Sequence, residues 1–215
     1  PGEGADAVLW EHLTEATHEE STLSVTYLAF ITLATMIAAC GVVLDNAILI
    51  VGAMAVGPEF GPLAGICTAM VQRHPRLALR SLTALLVGFA VAMAVTVGFA
   101  HFMDGVGLFT KVQLEASRPN TNFIYRPDAF SFVVAVLAGI AGTLSLTSAK
   151  SGLLVGVAIS VTTVPAAANA AVAFAYDEYR QAWGSTEQLL LNLVGIVLAG
   201  TMTLLVQKRL WRKAS

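Results

Sequence analysis

Charge is scarce in this chain: Asp, Glu, Lys and Arg together make up 12% of its 215 residues. A soluble domain carries about twice that share. The apolar residues, 56% of the total, run in stretches long enough to cross about 30 Å of hydrocarbon. A soluble globular domain is thereby excluded. Basic stripes are missing as well, and a net charge of −2 leaves no footprint for nucleic acid. The chain has two cysteines, Cys40 and Cys67, both inside apolar runs. They are expected to be packing residues rather than redox or metal groups.

Catalytic signatures are equally sparse. No His-Glu-x-x-His occurs, because His18-Glu19-Glu20 is followed by Ser21 and Thr22. There is no Gly-x-Ser-x-Gly elbow and no Gly-rich phosphate loop. Tyr176-Asp177 matches one half of an intramembrane aspartyl protease signature, but no Gly-Asp motif answers it. His12 and His18 would fall on different faces of a helix, so with Glu15 and Glu19 they do not compose a metal site. No enzyme, cofactor or metal is expected. The first 21 residues contain no Lys or Arg, unlike a secretory signal. Residues 5–20 read as an acidic helix, interfacial or continuous with the first span. The start at Pro1 rather than Met is expected of a truncated chain or a tag remnant.

What is present is a set of six candidate spans, at residues 22–43, 47–71, 81–103, 129–149, 151–175 and 189–206. The expected fold is an all-α integral membrane domain over 22–206, with halves 22–103 and 129–206 and a basic tail at 207–215. Arg73, Arg76, Arg80, Lys150, Lys208, Arg209, Arg212 and Lys213 would share one side. By the positive-inside rule both termini are then cytoplasmic, in a plasma membrane.

Spans two and five are each interrupted near their midpoint: Gly57-Pro58-Glu59-Phe60-Gly61-Pro62 in one, Ser160-Val161-Thr162-Thr163-Val164-Pro165 in the other. Broken helices persist in hydrocarbon only where protein or a cavity satisfies the freed backbone groups. A matched pair of interrupted spans, one per half, points to a transporter-like binding site. Three spans per half also require the halves to enter the membrane in opposite senses, an inverted three-plus-three repeat. Gly57, Gly61 and Gly65, and Gly152 with Gly156, have the spacing that lets helix backbones approach closely.

Leu44-Asp45-Asn46 running into Gly52-Ala53-Met54, Pro58, Gly61-Pro62, Ala138-Gly139-Ile140-Ala141-Gly142, Gly156-Val157-Ala158-Ile159, Val164-Pro165 and Asn192-Leu193-Val194 carry a resemblance. On these motifs the chain resembles the domain-of-unknown-function 389 family, hydrophobic multi-spanning proteins found mainly in bacteria. The resemblance implies a membrane architecture, often with a soluble region before the spans, and no agreed activity. The chain departs from the family pattern at Glu59, where an apolar residue is usual, and at Ala166, where many members have a second proline.

Glu59 is the candidate of most chemical interest. A central acidic side chain costs roughly 2.5–3.5 kcal/mol to insert, so it should face a polar interior. It would serve as a carboxylate for a cation, as a protonated group in proton coupling, or only as a bond to freed carbonyls. Thr162, Thr163 and Asn169 add hydroxyl and amide groups, and with Ser160, Gly57, Pro58, Gly61, Pro62 and Pro165 they outline an oxygen-rich site. Asp45 and Asn46 read as a capped turn, and Asn192 as a bond to a neighbouring helix. The function expected is secondary transport of an ion or small polar solute. A channel, or a scaffold or sensor acting through a soluble domain, are the alternatives. The expected partners are the bilayer, a solute or cation, and a second copy in a homodimer.

Overall fold

The computed structural model describes residues 22–147 and 162–214. The acidic segment at the start, Lys150, Gly152, Gly156 and Ser160 lie outside the described residues. What is described is helical, with no strand among those residues.

Helix α1 (Val25–Val43) starts at Ser24, whose hydroxyl accepts from the Tyr27 amide at 3.0 Å. Asp45, with a φ of 48°, turns the chain, and Asn46 caps α2 (Ala47–Val56) by accepting from the amides of Ile48 and Leu49. Gly57 precedes a proline and therefore leaves the helical region. Its φ and ψ are −65° and 128°, which ends α2. Pro58 offers no amide hydrogen, so the Met54 carbonyl loses its helical donor. Helix α3 (Phe60–Gln72) restarts one residue beyond Glu59, and the two axes differ by 53°. Pro62 falls in the first turn of α3, where a missing amide hydrogen has no consequence. Gly57-Pro58 alone makes this bend.

Arg73, in the left-handed region at φ 58°, leads into α4 (Pro75–Gly105), which begins with proline in its first turn. A short α5 (Lys111–Glu115) and a 3₁₀ turn at Asn122–Tyr125 occupy the loop that follows. Asp128 then accepts from the Ser131 amide and hydroxyl at the start of α6 (Ala129–Thr147). Helix α7 (Thr163–Ala175) carries Pro165 in its first turn, and Asp177, at φ 61°, leads into α8 (Tyr179–Ala214).

Side-chain contacts set the helix directions. Arg80 bonds Thr22, and the Tyr27 ring lies against Gly88, so α1 and α4 run side by side in the same sense. Helix α2 begins beside the end of α1, with Gly41 against Ile50, and α3 finishes at the start of α4. On the other side, Ala135 meets Gly195 and Gln207 bonds Thr147, so α6 and α8 also run together. Their sense is opposite to that of α1 and α4. Arg118 joins Val42 near the end of α1 to Gln181 near the start of α8, and Lys208 reaches the Val71 carbonyl. The bundle thus has a loop end, with residues 106–128, and a basic end, with Arg73, Arg76, Arg80 and Lys208.

Among the described residues four helices (α1, α4, α6 and α8) are long and apolar enough to cross a membrane, and the bent pair α2–α3 makes a fifth candidate. Leu79, Leu86, Phe130, Leu198 and Met202 point outward and are more than half exposed. An apolar surface of this kind belongs against a bilayer, and the chain is a multi-pass membrane protein.

The tightest helix crossing is α6 on α8. A methyl group added at Gly139 would lie 2.7 Å from the Ile196 carbonyl oxygen, and one at Gly200 would meet Thr143 Oγ1 at 2.9 Å. Small residues here, outside the spacing that first suggested close approach, let the two backbones touch. Gly139→Ala is expected to lower stability by about 1–3 kcal/mol, because a backbone carbonyl must shift. Gly98→Ala, with nothing within 4 Å of its added methyl, is expected to be neutral or slightly stabilising. Thermal unfolding of the two variants in one detergent separates the cases.

Candidate functional site

Because α3 begins where the chain has turned, Glu59 is carried inward at the bend. The residue is 3% exposed. Its Oε1 accepts a hydrogen bond from Thr163 Oγ1 at 2.7 Å. Its Oε2 has no hydrogen-bond partner among the described residues. Gly57 is what makes room for that oxygen. A methyl group at Gly57 would run into Glu59 Oε2 and would meet Val164 Cγ2 at 2.9 Å. The glycine at this break therefore cradles a carboxylate, and no helix backbone sits against it.

Thr163 is the first residue of α7 and is itself buried. The break after α2 and the start of α7 thus touch at Glu59, Thr163, Gly57 and Val164. Pro58 supplies the bend, and Pro62 and Pro165 each sit in the first turn of the helix that leaves the junction. Gly61 is buried in that same turn of α3. The Tyr27 hydroxyl on α1 is buried and without a partner among the described residues.

Thr162 and Asn169 belong to the same interior but have other partners. Thr162 Oγ1 accepts from Asn192 Nδ2 at 3.1 Å. Asn169, fully buried, donates from Nδ2 to Ser185 Oγ at 2.7 Å and accepts from Arg118 Nη1 at 3.0 Å. Arg118 stands in the loop between α5 and the 3₁₀ turn. It is 3% exposed, and it also donates to Gln181 Oε1 at 2.6 Å and to the Val42 carbonyl at 3.5 Å. Its guanidinium lies 5.0 Å from the centre of the Tyr125 ring. No carboxylate lies within ion-pair distance of it among the described residues. Burial pushes the Arg118 guanidinium down from its ordinary value, opposed by Tyr125 and by Asp45, yet an arginine keeps its charge in a protein.

Asp45 is a latch. Its carboxylate accepts from the Asn120 amide, Asn120 Nδ2 and Thr121 Oγ1. The turn before α2 is thereby tied to the loop that carries Arg118. Ser185, Gln188 and Asn192 complete a polar face on α8 that is buried throughout. In the sequence the first two precede the apolar window and carry no mark of burial. Their spacing of three and four residues, one helix face, was the available signal.

Chemically, the junction offers one carboxylate in a buried setting, with one oxygen held and one free to coordinate. No group of three or more His, Cys, Asp or Glu able to hold a metal occurs among the described residues.

No solved structure matches the chain. An uncharacterized protein of Methanocaldococcus jannaschii is 23% identical over 197 residues, which is 92% of this chain and 59% of that protein. This chain therefore spans less than two thirds of that relative's length. The family model described as a domain of unknown function (DUF389) matches residues 54–198, from the last turn of α2 into α8, with Glu59, Thr163 and Asn169 inside the match. The chain belongs to the DUF389 family.

Proposed function

We propose that this protein is a secondary carrier of a small cation or small polar solute, bound at Glu59 where the bent α2–α3 pair meets the start of α7. The observation that carries the reading is the half-satisfied carboxylate: buried, held by Thr163 through Oε1, with Oε2 unpartnered among the described residues. Intramembrane acids are rare and mark ion and proton pathways. A bend that lines an interior is where carriers of this kind coordinate their cargo.

An inverted three-plus-three repeat of six spans fits the same reading. Helices α1 and α6 both have 19 residues. Helices α3 and α7 both have 13, with proline third in each. Each of these shorter helices is followed by a left-handed residue and then by a helix of 31 or 36 residues. Partners are exchanged between the halves: α3 packs on α8 and α7 on α4. The long helices of the two halves run in opposite senses, as a pseudo-twofold axis in the membrane plane requires.

The basic end would face the cytoplasm. In cells, a cysteine at Ser117 is expected to react with an impermeant reagent added outside, and one at Arg209 only after the membrane is opened. The reverse pattern removes this orientation. The carrier reading is tested by screening protons and monovalent and divalent cations for thermal stabilisation, then for flux in reconstituted vesicles. A protein that responds to none of them in either assay is not a cation carrier.

A further inference from the structure

Ser185, Gln188 and Asn192 occupy one face of α8 and are 0%, 1% and 2% exposed. Three amide and hydroxyl groups inside an apolar bundle are costly unless bonded or used. Their bonds run lengthwise. Arg118 donates to Asn169, Asn169 to Ser185, Gln188 to Asn192 Oδ1 at 3.4 Å, and Asn192 to Thr162. Thr162 adjoins Thr163, which holds Glu59. Ser185 and Gln188 stand about one turn apart on α8, so a line of polar side chains runs from the loop end of the bundle to the buried carboxylate. Three atoms along it lack a partner among the described residues: Arg118 Nε at one end, Gln188 Oε1 in the middle and Glu59 Oε2 at the other end.

We propose that this face of α8 is the access route for a cation between the loop end and Glu59, and that Arg118 is the plug that closes it. Ligand chemistry follows from the two unpartnered oxygens, which call for a cation or a water carrying one. Amide groups do not relay protons by themselves, since each keeps fixed donors and acceptors. The route thus works through hydration or direct coordination.

The plug follows from what Arg118 holds. Its guanidinium bonds α1 at Val42, α7 at Asn169 and α8 at Gln181. While it stays there, a positive charge bars a cation from the polar line. Just beyond it lies a cleft of about 620 Å³ whose wall includes Tyr125 and Gln181, the stacking and bonding partners of Arg118, together with Glu187 and Arg180. Withdrawal of the arginine from three neutral acceptors would join that cleft to the route. This inference rests on the carrier reading of Glu59 for what travels the route, while its test does not.

The test uses Ser185→Cys as reporter in a chain with Cys40 and Cys67 changed to alanine, held in nanodiscs so that both faces are accessible. The probe is a charged methanethiosulfonate reagent. With Arg118 and Gln181 intact, labelling at position 185 is expected to be slow. Arg118→Ala, and separately Gln181→Ala, should each speed it by about tenfold or more, the shift expected from losing a charge-assisted bond that favours the closed state. Arg118→Lys should be less affected, and a cysteine replacing Ile31, fully buried among apolar side chains, should stay protected in every variant. If Arg118→Ala does not fold, Gln181→Ala decides. Equal rates with and without the plug overturn the proposal, as does faster labelling at position 31 alongside position 185. Gated labelling together with an ion response that survives loss of the Glu59 carboxylate would keep the route and remove the Glu59 carrier reading.

Discussion

Glu59→Gln is expected to abolish cation-dependent stabilisation and to cut cation flux by at least about tenfold, the scale of one lost charge-assisted contact. The fold should survive, because the amide oxygen still accepts from Thr163 Oγ1 and the side chain keeps its size. Glu59→Leu asks a different question. It leaves the Thr163 hydroxyl without its acceptor in a buried place, which should cost about 1–3 kcal/mol of stability. The two variants separate a charge that works from a hydrogen bond that merely holds. An ion-responsive Glu59→Gln protein with normal flux would defeat the carboxylate mechanism. Gly57→Ala adds a third view: its methyl would displace Glu59 Oε2 while leaving the charge in the chain. Ion response should then weaken with the carboxyl still present, as when a ligand is moved out of place rather than removed.

Much of the architecture could be read from residue order, because apolar runs bounded by caps and prolines report local physics. Asp45 and Asn46 read as a capped turn, and Asn46 caps α2 in the structure. Gly57-Pro58 dictates a departure from helix through sterics alone. Boundaries were less accessible: α4 begins six residues before the apolar window at 81–103, and α8 begins ten before the window at 189–206. Helices continue past their apolar windows when their polar residues find partners inside. Gln188 and Ser185 fall outside the window that residue order suggests, and only the fold, by setting α7 beside α8, makes them internal.

Arg118 is the clearest case of what residue order hides. It stands in a polar loop, with partners 51, 63 and 76 positions away in the chain. No local pattern encodes such contacts. Asp45 reads as a turn residue, and it is one, but its carboxylate also fastens the loop that delivers Arg118. The glycine spacing shows the same limit. Gly57 meets the close-approach pattern yet faces a carboxylate, whereas Gly139 and Gly200, on helices distant in sequence, make the tight crossing. Propensity and periodicity see one element at a time, and these roles belong to pairs of elements.

The buried guanidinium leads to the sharpest expectation for stability. Asn169 stands between a permanent positive charge and the Ser185 hydroxyl, with no exposed surface of its own. Asn169→Leu keeps the volume roughly but removes the acceptor from Arg118 and the donor from Ser185. Taking one of its three acceptors from a buried charge costs about 1.5–3 kcal/mol, so this should be a strongly destabilising substitution. Asn169→Asp should behave oppositely. The carboxylate would still accept from Arg118, now as an ion pair, and Ser185 can turn its hydroxyl to donate. Thermal unfolding should therefore place the Asn169→Asp protein at or above the parent and the Asn169→Leu protein far below it. Equal losses in both would mean that Arg118 draws little from position 169 and that shape, not charge, sets the cost. If Asn169→Asp also slows the exposure of a cysteine at position 185, the arginine is held more firmly by its new counter-charge, which is the behaviour required of a plug that must leave in order to open.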